Sequence, residues 1–77
     1  MANVTASSIA NFMLGDSFYQ AIINVLVVQR GCSESPISVA TDIAQSVVNE
    51  NPTIDDMSVL ADLGVRQVFQ YLGYNPA

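Results

Sequence analysis

Apolar residues recur at helical spacing in four stretches of the chain, and turn-forming or polar residues separate these stretches. Spacings of three and four place apolar side chains on one side of a helix. Gly15, residues 30–34 and residues 49–52 carry the glycine, proline and small polar residues that are typical of breaks. The pattern predicts an all-α fold, a small bundle of three to four helices at residues 6–14, 17–29, 36–49 and 54–72.

Residues that favour helix ends support these bounds. Thr5 or Ser7 suits the N-cap of the first helix, and Ser35 followed by Pro36 is typical of the cap and first turn of the third. Thr53 suits the N-cap of the fourth helix, which would place Asp55 and Asp56 in the first turn of that helix. Gly64 predicts either a bend in that helix or a break between two short ones.

The second segment is apolar on almost every side, and only Gln20 and Asn24 form a thin polar stripe. Asp16 and Ser17 both suit its N-cap, and residues 17–20 have the pattern of a capping box. The β-branched residues within 22–28 leave a strand open as an alternative, although the start signal and the length favour a helix. Such a helix is typically central, and in so small a domain another subunit can supply part of its contacts.

Charge is scarce in this chain. Two arginines and seven carboxylates make up 12% of the 77 residues, against about 25% in an ordinary soluble domain. Most of them lie where the helix dipole favours their sign. Glu50 is the exception, because it lies at a helix C-terminus. A pairing with Arg30, with Arg66 or with a neighbouring chain would account for it. An exterior so poor in charge is typical of a surface that contacts other protein.

Composition also argues against several functions. The net charge of −5 disfavours nucleic acid and anionic membrane partners. The apolar run 21–28 is too short to span a bilayer, which needs about 20 residues. Cys32 is the one cysteine and histidine is absent, so the common zinc sites and an activated thiol are not expected. We expect no enzyme activity, no catalytic residue, no metal and no cofactor. The start of the chain lacks a secretory signal pattern, which favours a cytoplasmic or virion location over secretion.

Residues 14–18, Leu-Gly-Asp-Ser-Phe, resemble the attachment motif of acyl carrier proteins. In that family a serine that opens the second helix carries phosphopantetheine, so the resemblance implies a prosthetic group on Ser17. The helix after that serine is rich in acids in the family, whereas residues 18–28 contain none. The carrier function is retained as an alternative.

Residues 60–65, followed by Val68 and Leu72, look like the turn of helix-turn-helix DNA-binding proteins. The resemblance implies that Arg66 and Gln67 begin the helix that reads DNA. A single arginine in an acidic chain would bind the phosphates of DNA only weakly. A glycine within a core-facing helix is therefore the preferred interpretation, and DNA binding is the second alternative.

The leading hypothesis is a non-enzymatic structural or interaction subunit, a single domain over residues 1–77 that packs on copies of itself or within a larger assembly such as a virion or filament. A domain this small buries only about 60% of its unfolded surface, which makes such support useful. Repulsion between like acidic subunits predicts tighter association as the pH falls toward the isoelectric point near 4.1. Apolar and aromatic side chains supply the candidate interface, namely Phe18, Tyr19, Ile22, Leu26, Val68, Phe69, Tyr71 and Tyr74.

Overall fold

A computed structural model describes residues 4–73 and shows four α-helices joined by short connections. The all-α bundle predicted from the sequence is confirmed, and residues 22–28 are helical. Two helices have the predicted bounds, the third extends one residue further, and the fourth is shorter than predicted at both ends. The helices are α1 (Ala6–Leu14), α2 (Ser17–Gln29), α3 (Pro36–Glu50) and α4 (Met57–Tyr71).

The N-termini of α1 and α3 are capped by hydroxyl side chains, as predicted. Thr5 Oγ1 accepts the backbone N–H of Ser8 at 3.1 Å, and Ser8 Oγ accepts the backbone N–H of Thr5 at 2.8 Å. This reciprocal pair satisfies two N–H groups that have no partner within the helix. In α3, Ser35 Oγ accepts the backbone N–H of Ser38 at 3.2 Å, and Pro36 occupies the first turn.

The other two helices are capped by aspartates. For α2, Asp16 was one of the two predicted caps, whereas for α4 the predicted cap is corrected. The Asp16 carboxylate accepts the backbone N–H of Phe18 at 2.9 Å, so Ser17 is the first helical residue and the predicted capping box does not form. The Asp56 carboxylate accepts the N–H of Val59 at 3.2 Å, so α4 begins three residues later than predicted and Thr53 is not its cap. A carboxylate combines the capping bond with attraction to the positive end of the helix dipole.

Asp16→Ala is expected to lower the free energy of unfolding by about 0.5–2 kcal/mol, because two N–H groups of α2 lose their acceptor. Ser17→Ala is the matched control and is expected to change it by less than about 0.5 kcal/mol. Urea unfolding followed by circular dichroism measures both variants. A larger loss for Ser17→Ala than for Asp16→Ala would show that the cap has been assigned to the wrong residue.

All four helices contribute to one hydrophobic core, in which α1 packs most extensively against α3. Among residues 4–73, no polar or charged residue is buried. The core therefore depends on apolar packing rather than on internal hydrogen bonds. Its members are Ile9, Ala10, Met13, Ile23, Leu26, Val27, Val39, Ala40, Ile43, Ala44, Val47, Leu60, Ala61, Val65 and Val68.

Gly64 lies at a tightly packed contact of α4 with α1 and α3. A Cβ atom at this position would lie 3.3 Å from Ile43 Cγ2 and 3.4 Å from Met13 Cε. The glycine is explained by this close packing, because α4 continues through it as one helix. Of the two alternatives at Gly64, the break into two short helices does not occur. Residues 60–65 are helical throughout and do not contain the turn that the helix-turn-helix resemblance implies.

Candidate interaction surface

Helix α2 presents apolar side chains on two opposite sides. Its inner side contributes Ile23, Leu26 and Val27 to the core. The helical period places a second apolar row on the outer side, with successive spacings of three, four and three residues. We call this row the α2 stripe, and it consists of Phe18, Ala21, Val25 and Val28.

The three large side chains of the α2 stripe are each more than half exposed. Phe18 is 61% exposed, Val25 is 53% exposed and Val28 is 66% exposed. No charged residue lies anywhere in α2. A row with spacings of three and four is the arrangement through which two helices pack side by side. The stripe is therefore suited to contact with another helix.

An aromatic group anchors the N-terminal end of the stripe. The Phe18 and Tyr19 ring centroids lie 5.5 Å apart in an edge-to-face arrangement, and the Phe12 ring of α1 lies 6.0 Å from that of Tyr19. The Tyr19 hydroxyl donates a hydrogen bond to the Asp62 carboxylate of α4. These contacts tie α2 to α1 and α4, and the exposed Phe18 ring packs against the Tyr19 ring.

The hydrogen bond to Asp62 raises the pKa of Tyr19 to about 12, with smaller contributions from burial and from the negative charges of Asp62 and Asp16. Because the pKa is raised on folding, the protonated hydroxyl stabilises the fold fully below pH 10, and this contribution is lost as the pH rises toward 12. Tyr19→Phe is expected to remove this part of the pH dependence. Urea unfolding between neutral pH and pH 12 measures it, with Tyr71→Phe as the control that should retain it.

The predicted interface residues fall into three groups. Phe18 and Tyr71 are exposed, whereas Tyr19, Ile22 and Phe69 are partly buried and pack against the core. Leu26 and Val68 belong to the core, at 1% and 0% exposure, and therefore contribute no surface to a contact made by this structure. Tyr74 lies outside the described residues.

Three members of the α2 stripe were not among the predicted interface residues, namely Ala21, Val25 and Val28. Their spacing relative to Phe18 was visible in the sequence. The buried row of the same helix is equally apolar, so the sequence pattern did not distinguish the inner side from the outer side.

Tyr71 lies at the opposite end of the bundle from the aromatic group, beside the C-terminus of α2. The Arg30 guanidinium carbon lies 5.8 Å from the centre of the Tyr71 ring, and its Nη1 lies 3.4 Å from Glu34 Oε2. This is the one ion pair within residues 4–73. Glu50 pairs with neither arginine and accepts a hydrogen bond from the Ser46 hydroxyl at 3.5 Å.

A cleft of about 310 Å³ lies between the C-terminal halves of α3 and α4. Its lining combines one carboxylate and one guanidinium with three amides. Within the described chain, the buried Gln67 Oε1 atom has no hydrogen-bond partner. The lining residues are Val47, Glu50, Asn51, Leu63, Arg66, Gln67, Gln70 and Tyr71.

Ser17 is exposed at the first position of α2, and Arg66 is exposed on the middle of α4. In residues 4–73 no three histidine, cysteine or acidic side chains gather closely enough to hold a metal ion. No single helix of this part of the chain has the length and apolar character to cross a membrane, although α1 and α2, bent by 102° at their junction, pass that test as a pair.

Comparison with known protein families, curated proteins and solved structures finds no match.

Proposed function

We propose that this chain is a non-enzymatic structural subunit that packs on other copies of itself through the α2 stripe, within a larger assembly. The observation that carries the proposal is an exposed apolar row along a helix that bears no charge. Contact there would remove three large apolar side chains from water, and aromatic residues such as phenylalanine are enriched at the centres of protein interfaces.

The size of the stripe sets the strength of a single contact. Burying a large apolar side chain completely contributes about 1.5–3 kcal/mol, and these side chains are already partly buried. Association itself costs about 4–15 kcal/mol in lost freedom. A helix of 13 residues is about 20 Å long, so its stripe falls short of the ~800 Å² per partner of a standard interface. One contact is therefore weak, and a durable assembly requires further contacts between copies.

Sedimentation equilibrium of the wild-type chain tests the proposal. The expected dissociation constant lies between about 10 µM and 1 mM, which corresponds to about 4–7 kcal/mol. The weight-average mass is expected to rise above the 8.2 kDa of one chain as the concentration increases across that range. A mass that stays at 8.2 kDa throughout would overturn the proposal.

A further inference from the structure

The α2 stripe has the same spacing when it is followed in either direction. Its steps of three, four and three residues are symmetric about the position of Ile23. A two-fold axis at that level, perpendicular to the helix, would place Phe18 opposite Val28 and Ala21 opposite Val25. From this symmetry, and resting on the proposed self-association, we infer that α2 pairs with α2 of a second copy in antiparallel orientation.

The sizes of the side chains favour this orientation over the parallel one. In a parallel pair the two Phe18 rings would meet in one layer, and the two Ala21 side chains would leave a gap in the next. In the antiparallel pair each Phe18 meets a Val28 and each Ala21 meets a Val25, so every layer joins a larger side chain to a smaller one. The layers then differ less in total size than they do in the parallel pair, which suits close packing between the helices.

The distribution of charge also favours the antiparallel pair. The stripe carries no charge, and the nearest acid on the N-terminal side is Asp16, which is exposed at the cap of α2. Packed helix axes are separated by about 8–10 Å, so a parallel pair would bring the two Asp16 carboxylates to about that distance from each other at one end of the pair. An antiparallel pair separates them by about 20 Å, the length of the helix. That separation exceeds the screening length of about 8 Å in physiological salt.

These features favour a second copy of this chain as the binding partner, because the α2 stripe then forms both sides of the contact. The net charge of −5 would oppose pairing of like chains through a charged face. The α2 stripe carries no charge, so two copies can meet along it without bringing like charges into the contact. A partner of different sequence would not need the symmetric spacing.

Disulfide cross-linking distinguishes the two orientations. The background variant is Cys32→Asn, which removes an exposed thiol at a position with φ 59°, a left-handed conformation that asparagine tolerates. Ala21→Cys and Val25→Cys are prepared separately in this background, mixed and oxidised, and the products are identified by intact mass. The expected product is the mixed disulfide, because opposed positions bring the two Cα atoms within bonding range.

Val28→Cys in the same background is the control for orientation. In the antiparallel pair the two copies of this residue lie about 15 Å apart along the helix axes, beyond the reach of a disulfide. We expect the Ala21→Cys and Val25→Cys mixture to cross-link at least about tenfold more than Val28→Cys alone. A parallel pair would give the reverse order, with Val28→Cys forming disulfides with itself.

The outcomes separate the inference from the proposed function. Cross-linking of Val28→Cys to itself, in a chain that associates, overturns the antiparallel orientation and leaves self-association intact. Association of the wild type without cross-links at any of these positions overturns the α2 contact, and a different partner protein or surface then takes its place. A wild-type chain that stays monomeric and forms no cross-links overturns both.

Discussion

Val25→Glu is expected to abolish self-association at concentrations at which the wild-type chain pairs. Val25 lies near the middle of the α2 stripe and is 53% exposed. Pairing would have to bury the new carboxylate against apolar side chains without an opposite charge, which costs several kcal/mol. We expect the dissociation constant to rise by more than about 100-fold, equivalent to about 2.7 kcal/mol. Sedimentation equilibrium of both proteins measures the change.

Gln20→Glu is the matched control, because it adds the same charge to the same helix at an exposed position outside the stripe. We expect it to weaken association by less than about threefold, through added repulsion at a distance. Circular dichroism should show that both variants keep the helical fold, since neither position lies in the core. If the two variants weaken association equally, total charge rather than the α2 stripe controls pairing.

Leu60→Ala is expected to lower the free energy of unfolding by about 2–5 kcal/mol. Leu60 is 1% exposed and lies in the single core that all four helices share. Truncation removes buried methyl groups and leaves a cavity that its neighbours fill only in part. Domains of this kind have about 5–15 kcal/mol of stability in total, so a large share is lost. Urea unfolding followed by circular dichroism measures the effect.

Val59→Ala is the control for the core, because Val59 precedes Leu60 on the same helix and is 43% exposed. We expect a loss below about 1 kcal/mol, since the side chain is partly in water before the change. Alanine also favours helix slightly more than valine does. Equal losses for the two variants would contradict the arrangement in which α4 turns Leu60 inward and Val59 outward.

The bounds of α1 and α2 could be predicted because apolar spacing, Gly15 and the residues around Asp16 all indicate the same limits. The start of α4 could not be predicted in the same way. Thr53 and Asp56 both suit an N-cap, and the choice between them depends on the path of the connection from α3 to α4. The backbone N–H of Ile54 donates to the Asn51 carbonyl at 3.2 Å, which forms a turn before the helix and leaves Asp56 to begin it.

The candidate interface was predictable only in part, for a physical reason. A helix that is apolar on two sides gives no single preferred direction, so the sequence could not place Leu26 inward and Val25 outward. Their orientation is set by packing against the other three helices. The contact between Tyr19 and Asp62 joins residues 43 positions apart in sequence, and no local pattern predicts such a pair.

Methyl NMR of the wild-type chain over a range of concentrations tests most directly whether a second copy covers the apolar surface of α2. Val25 and Val28 lie on the α2 stripe, whereas Ile37 and Val59 are each 43% exposed on other helices and serve as internal controls. We expect the resonances of Val25 and Val28 to shift or broaden as the concentration rises, while those of Ile37 and Val59 stay unchanged. Constant resonances at Val25 and Val28, or changes confined to Ile37 and Val59, would contradict the proposed α2 contact.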